Sequence, residues 1–187
     1  MRKILIQGGT VISMEPSRVA GLIENILIEN DQISDVGGIN PTDDMEVIDA
    51  TDCIVLPGLI DSHVHTWQTG LRGIAGDWTV PQYMRAMHRG LATFFQPEDI
   101  YIANLIGALS KLDAGITTLV DWCHNNPTPD HTDSAIDGLF ESGARALFLH
   151  GSPKPDPKPG QKHIAKCLCR AAKLNVCAKD ALLQMTR

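Results

Sequence analysis

No apolar run in the 187-residue sequence approaches the roughly 20 residues that a membrane-spanning helix requires, so no membrane partner is expected. Basic residues are no more abundant than acidic ones. Sixteen Lys and Arg against 22 Asp and Glu leave a formal net charge of -6. No basic cluster offsets that balance, which argues against nucleic acid as a partner. Cysteine is sparse as well: Cys53, Cys123, Cys167, Cys169 and Cys177 form an odd set without a framework spacing. That excludes a disulfide scaffold and points to a reduced, cytoplasmic setting. The opening "MRKILIQGGTVISMEPS" has two basic residues, but Gln7, Gly8 and Gly9 break its apolar stretch. It reads as a strand and turn, not as a signal peptide. No internal repeat is present.

What is there is ordinary for a globular chain. Hydrophobic residues make up 43% and charged residues 20%, which excludes disorder. The length suffices for one sizeable core, or for a small domain plus part of a larger one.

Residues 1–56 read as short strands joined by turns. "KILIQGGTVISM" has two β-rich runs around Gly8-Gly9, and "ENILIENDQISDVGG" has two alternating segments about an Asn30-Asp31 hairpin signal. With "EVIDATDCIVLPG" these strands suggest a small β-sandwich or part of one. After Pro57 the rhythm changes. "LIDSHVHT" is a short apolar strand, and residues 66–80 are polar and glycine-rich. Residues 97–113 predict a helix with Pro97 in its first turn, Glu98 and Asp99 facing the dipole, and Gly115 closing it. Its expected apolar face holds Ile100, Ala103, Leu105, Ile106, Leu109 and Leu112. "ITTLVDW" and "ARALFLHG" are buried strands around a second helix over 132–142. Alternating strands and helices with continuous apolar strands make an α/β fold with a parallel sheet. "GSPKPDPKPG" is a Pro/Gly loop, and residues 161–187 form a basic tail of different character.

His63 and His65 carry the strongest chemical signal. On a strand, residues two apart project to one face about 6.6 Å apart, so both imidazoles can converge on one metal ion. Val64 would then pack into the opposite, helix-covered face. Asp61 falls on the histidine face one step lower, to accept from an imidazole N–H or to serve as a core residue. A long polar loop follows the pair, where a substrate lid would sit. Against this stands the bland reading of H-x-H as surface or core decoration.

"VLPGLIDSHVH" resembles the first barrel strand of the amidohydrolase superfamily, whose metal pair H-x-H follows a "PG-hydrophobic-ID" lead-in. "ILIQGGTVISM" is similar to the N-terminal β-domain opening of these enzymes. "TWQTGLRGIAGD" resembles the segment after the pair, and "PEDIYIANLIGALSKLDAGITTLVDW" the first helix and second strand. The likeness is to the branch of triazine hydrolases, cytosine and guanine deaminases and adenosylhomocysteine deaminases, and covers residues 1 to about 155. It implies a (β/α)8 barrel and one divalent ion, zinc or alternatively iron, held in part by His63 and His65. It implies hydrolysis of a carbon–nitrogen bond in an aminated or halogenated heterocycle by metal-activated water. Full-length members are often homo-oligomers.

Such a barrel takes about 250 residues. Only three barrel strands are legible, around His63, over 116–121 and over 144–149. The catalytic acid, base and aspartate are expected beyond the C-terminus, and the barrel reads as truncated. The division is therefore 1–56 as β-sandwich portion, 57–160 as the first β/α units, and 161–187 as a tail outside the family pattern. The alternative to an enzyme is a non-catalytic remnant with at most weak metal binding.

Other positions carry smaller signals. Trp67, Gln68 and His124 are candidate substrate contacts, Arg72 a further contact or loop brace, and Asp121 a support for the metal site or a structural cap. His150 ends the third strand and His131 fits a helix N-terminus. The tail's His163, Cys167 and Cys169 match no tetrahedral zinc spacing. The resemblance places a substrate-binding glutamate of nucleoside deaminases just before the helix start. Here "GLATFFQPED" has no acid before Glu98, which points away from an adenosine-type substrate.

Overall fold

The computed structural model describes residues 2–14 and 21–151, so the tail over 161–187 and its C-x-C lie outside the described residues. The chain divides into two units, Met1–Pro57 and Gly58–Arg187.

The first unit is a five-stranded mixed sheet. Strands β1 (Lys3–Val11), β2 (Leu22–Glu29) and β3 (Gln32–Gly37) pair antiparallel. Strands β4 (Glu46–Asp49) and β5 (Ile54–Val55) run parallel to β1 along successive stretches of it. Asn30 turns the β2–β3 hairpin with a φ of 57°, as a tight turn with positive φ requires. The two runs read around Gly8-Gly9 are one strand. Gly8 takes a φ of 77° and the register shifts between Ile6 and Gly9, so the glycines make a bulge instead of a break. Asn25 steadies the bulge by accepting the Gly8 N–H at 2.8 Å. The sandwich read from the sequence thus corresponds, among the described residues, to a single sheet.

The second unit carries three parallel strands in the order β6 (Leu59–Val64), β7 (Ile116–Cys123) and β8 (Arg145–His150). A 3-10 turn over Thr66–Leu71 follows β6 directly. Helix α1 (Val80–Tyr83) runs on into a wider helical turn over Met84–His88. Helix α2 (Pro97–Asp113) links β6 to β7, and α3 (Pro129–Glu141) links β7 to β8. Pro97 opens α2, and Asp99 accepts the Gln96 N–H at 2.8 Å, closing its first turn. Gly115 leaves the helix with a φ of 80°. No described helix is long and apolar enough to cross a membrane.

Both helices lie against one face of the sheet. Leu119, Asp121 and Cys123 are buried, with Ile100 and Ala108 of α2, Ala135 and Leu139 of α3, and Phe148 of β8. Val64 packs against this cluster. The buried side of α2 differs from the stripe expected of it. Ile100, Ala103, Asn104, Gly107 and Ala108 are buried, whereas Ile106 and Leu109 are exposed. The cause is close approach. A Cβ on Gly107 would collide with the Thr69 hydroxyl and the Thr66 methyl of the 3-10 turn. Small residues therefore face the strand–turn junction, and the larger ones turn outward. On the other sheet face Ile60 and Trp122 are exposed.

Candidate metal centre

His63 is the penultimate residue of β6, and His65 is the first residue beyond the strand, capping the 3-10 turn. Their rings lie 5.0 Å apart between centroids at 79°. His63 also meets the exposed Trp122 ring of β7 at 5.3 Å. The His65 Nδ1 lies 2.7 Å from the main-chain carbonyl of Trp122. A carbonyl only accepts, so Nδ1 donates this bond, and in a neutral ring Nε2 is the nitrogen left for a metal. Imidazoles presented this way are the donors zinc and related ions take, each ring oriented by the hydrogen bond on its other nitrogen. Among the described residues no group of three or more His, Cys, Asp or Glu is arranged to hold a metal. The pair therefore fits part of a ligand set.

The junction that aims His65 is built from buried polar groups. Asp121 is fully buried on β7; its Oδ1 accepts the Thr66 N–H at 2.9 Å and its Oδ2 accepts from Asn104 Nδ2 at 3.3 Å. Asn104 also donates to the Ala135 carbonyl at 3.0 Å, tying α2 to α3. Burial pushes the Asp121 carboxyl up to about 6, against the opposing pull of the bonds from Thr66 and Asn104. Asp121 thus holds the residue next to His65, one element away from the pair itself. Cys123, also buried, donates to Asn126 Oδ1 at 3.2 Å, and burial pushes its thiol up.

Asp61 does not take the place strict alternation assigns it. The ladder is irregular between Asp61 and Val64, and the carboxylate pairs with Lys111 Nζ of α2 at 2.7 Å. It also accepts the His63 main-chain N–H at 3.2 Å. The Lys111 hydrogen bond holds its carboxyl below the usual range. Asp61 braces the strand backbone at the His63 amide and pairs with Lys111.

Trp67 and Gln68 differ in what they reach. Trp67 has no exposed surface; its Nε1–H donates to His124 Nδ1 at 3.0 Å, and its ring meets Phe95 edge-on at 5.3 Å. A buried indole supports the site from beneath and presents nothing to a ligand. Gln68 Nε2 donates to the Tyr83 hydroxyl at 2.6 Å. His124 stacks on His65 with centroids 4.2 Å apart. Arg72 Nη1 lies 3.4 Å from the Ser110 hydroxyl, a brace between turn and helix. His131 Nε2–H donates to the Phe95 carbonyl at 3.0 Å, and its Nδ1 takes the Thr128 hydroxyl at 2.7 Å, a staple at the start of α3. His150 is exposed at the end of β8.

His88 is the residue that sequence reasoning passed over. It is buried, lies edge-on to His124 at 4.3 Å, and its Nε2 sits 3.2 Å from the Tyr83 hydroxyl. No spacing in "MRAMHRG" announces it. Asn104 did leave a signal, as the one amide among the buried residues of an amphipathic helix.

Comparison with known proteins gives the family. The amidohydrolase family model matches residues 54–176, and the chain belongs to that family. The match runs past residue 160 into the tail set apart by its composition. The chain is 27% identical over 168 residues to a 5-methylthioadenosine/S-adenosylhomocysteine deaminase of Carboxydothermus hydrogenoformans, covering 88% of this chain and 37% of the deaminase. A triazine hydrolase structure from Arthrobacter aurescens superposes with a TM-score of 0.74 at 27% identity, over 81% of this chain and 36% of that one. An atrazine chlorohydrolase mutant from the same organism, complexed with zinc and atraton, gives 0.71 at 27% identity, over 80% and 36%. The chain thus spans about a third of the length of these relatives.

Proposed function

We propose that this chain forms the strand-one portion of a metal-dependent hydrolase acting on carbon–nitrogen bonds other than peptide bonds. His63 and His65 contribute two imidazoles to a single divalent ion, zinc or alternatively iron. The observation that carries this reading is the His65 Nδ1 bond to the Trp122 carbonyl, which leaves Nε2 to the metal beside His63. Such an ion supplies Lewis-acid polarisation and water activated near neutral pH. The chain's own residues orient the pair: Asp121 through the Thr66 amide, Asp61 through the His63 amide, and Trp122 through its carbonyl. The remaining ligands and the proton-transferring carboxylate would come from outside the described residues. The single N-terminal sheet would then be one layer of a composite β-domain ending near residue 56, and the three parallel strands the first of a (β/α)8 barrel.

The substrate class is an aminated or halogenated nitrogen heterocycle. This rests on the relatives, which are named as deaminases of adenosine derivatives and as triazine hydrolases. Elemental analysis of the zinc-loaded chain, paired with ammonia release from cytosine, adenine and melamine, tests the proposal. Zinc carried by the wild type and absent from an H63A/H65A variant supports the metal site, and ammonia release that disappears with it supports the hydrolase. Equal zinc in both proteins would overturn it.

A further inference from the structure

Asn104, Gly107 and Lys111 follow one another at three and four residues along α2, and so share one face of the helix. Gly107 lies against Thr66 and Thr69, where a Cβ would collide, so this face sits close to the strand–turn junction. The residues on either side of it reach the two histidines by separate routes. Asn104 Nδ2 donates to Asp121 Oδ2 at 3.3 Å, and Asp121 Oδ1 accepts the Thr66 N–H at 2.9 Å, next to His65. Lys111 Nζ donates to Asp61 Oδ2 at 2.7 Å, and Asp61 Oδ1 accepts the His63 N–H at 3.2 Å. Each route passes through one carboxylate, with one oxygen turned to the helix and the other to a main-chain amide.

The Lys111 route matters because of where His63 sits. His63 lies within the register shift between Asp61 and Val64, where the regular ladder to β7 is interrupted. Asp61 bonds the amide two residues ahead on its own strand, a local contact that moves with the strand. Lys111 ties that contact to a different element.

We propose that Lys111 is a positioning residue for His63. Through Asp61 it fixes the His63 backbone within the interrupted ladder, and with it the spacing of the two imidazoles. This rests on the metal reading of His63 and His65. It goes beyond that reading by assigning the placement of one ligand to a helix side chain two hydrogen bonds away, while His65 depends on the Asn104 route.

Zinc titration of the full chain, followed by calorimetry and by imidazole NMR, tests this in K111M and K111R. K3M is the control for loss of a lysine ion pair, since Lys3 pairs with Asp44 at 2.8 Å in the first unit. K111M is expected to bind zinc about tenfold more weakly, the lower end of what removing a support behind a ligand costs. Its zinc-induced shift is diminished at His63 and kept at His65. K111R, which keeps a cation beside Asp61, returns both readouts to wild-type values, and K3M leaves both unchanged. In the metal-free chain the Overhauser contact between the His63 and His65 rings, 5.0 Å apart between centroids, weakens in K111M and returns in K111R. D61N, which keeps an oxygen for the His63 amide and loses the ion pair, should reproduce K111M and decides the matter if K111M does not fold. Wild-type affinity in a folded K111M overturns the proposal. So does a K111M that disturbs both rings alike, or a K3M that weakens zinc as much. Zinc that moves neither ring in the wild type instead defeats the metal reading, and the positioning is then decided by the metal-free ring contact.

Discussion

His65 and His124 stack with ring centroids 4.2 Å apart, the Nδ1 of one against the Trp122 carbonyl and the Nδ1 of the other taking the Trp67 indole N–H. The arrangement follows from chain order. β6 and β7 are parallel neighbours, so the turn after β6 and the loop after β7 leave the sheet at the same end. Asp121 ties the two exits together through the Thr66 amide. The geometry of the candidate site therefore depends on the strand–turn junction as much as on the histidines.

The first consequence concerns pH. The Asp121 carboxyl lies at about 6 in the folded chain, above its ordinary 3.8. Folding thus favours the protonated acid. That contribution is fully present below about pH 4 and is lost as pH rises through 6, with an upper size of roughly 3 kcal/mol. D121N should flatten this decline. Thermal melts of both proteins from pH 4.5 to 8 check it, and parallel profiles would argue against a titrating Asp121.

Asp61 acts with the opposite sign. Its carboxyl is held below the ordinary range by Lys111, so its contribution is present above about pH 4 and disappears as pH falls further. K111M should cost about 1 kcal/mol at pH 7 and remove part of the salt sensitivity of stability. Urea unfolding at low and high ionic strength measures both. A variant as stable and as salt-sensitive as the wild type would show the pair to be inert.

Gly107 predicts a steric effect. Any side chain there meets Thr66 and Thr69 at the turn that begins with His65. G107V should destabilise the second unit by about 1–3 kcal/mol and broaden the His65 resonances in NMR spectra. A fully exposed helix glycine would instead gain up to about 1 kcal/mol on replacement by alanine. A stabilised G107A would therefore contradict the packing described here.

Much of this was legible in the residues. The H-x-H pair, the three parallel strands and the bounds of α2 followed from spacing, β-branched runs and helix punctuation, which are local signals. The parts that were not legible depend on what meets what. Asp61 left the histidine face because the β6 ladder is irregular, which alternation alone cannot show. The buried side of α2 turned toward Gly107 because another segment packs there. Trp67 looked like a substrate contact beside the pair, and its burial became visible only once Phe95 and His124 were in place around it. His88, twenty-three residues after His65, joins the cluster through tertiary packing.

His63 and His65 are the residues proposed to hold the metal, with His124 stacked beside them. Calorimetric titration of zinc into the wild type, H63A/H65A and H124A tests this assignment most directly. Weak binding of one zinc is expected in the wild type and in H124A, and none in H63A/H65A. Binding that survives loss of the pair, or that is abolished in H124A, would contradict it.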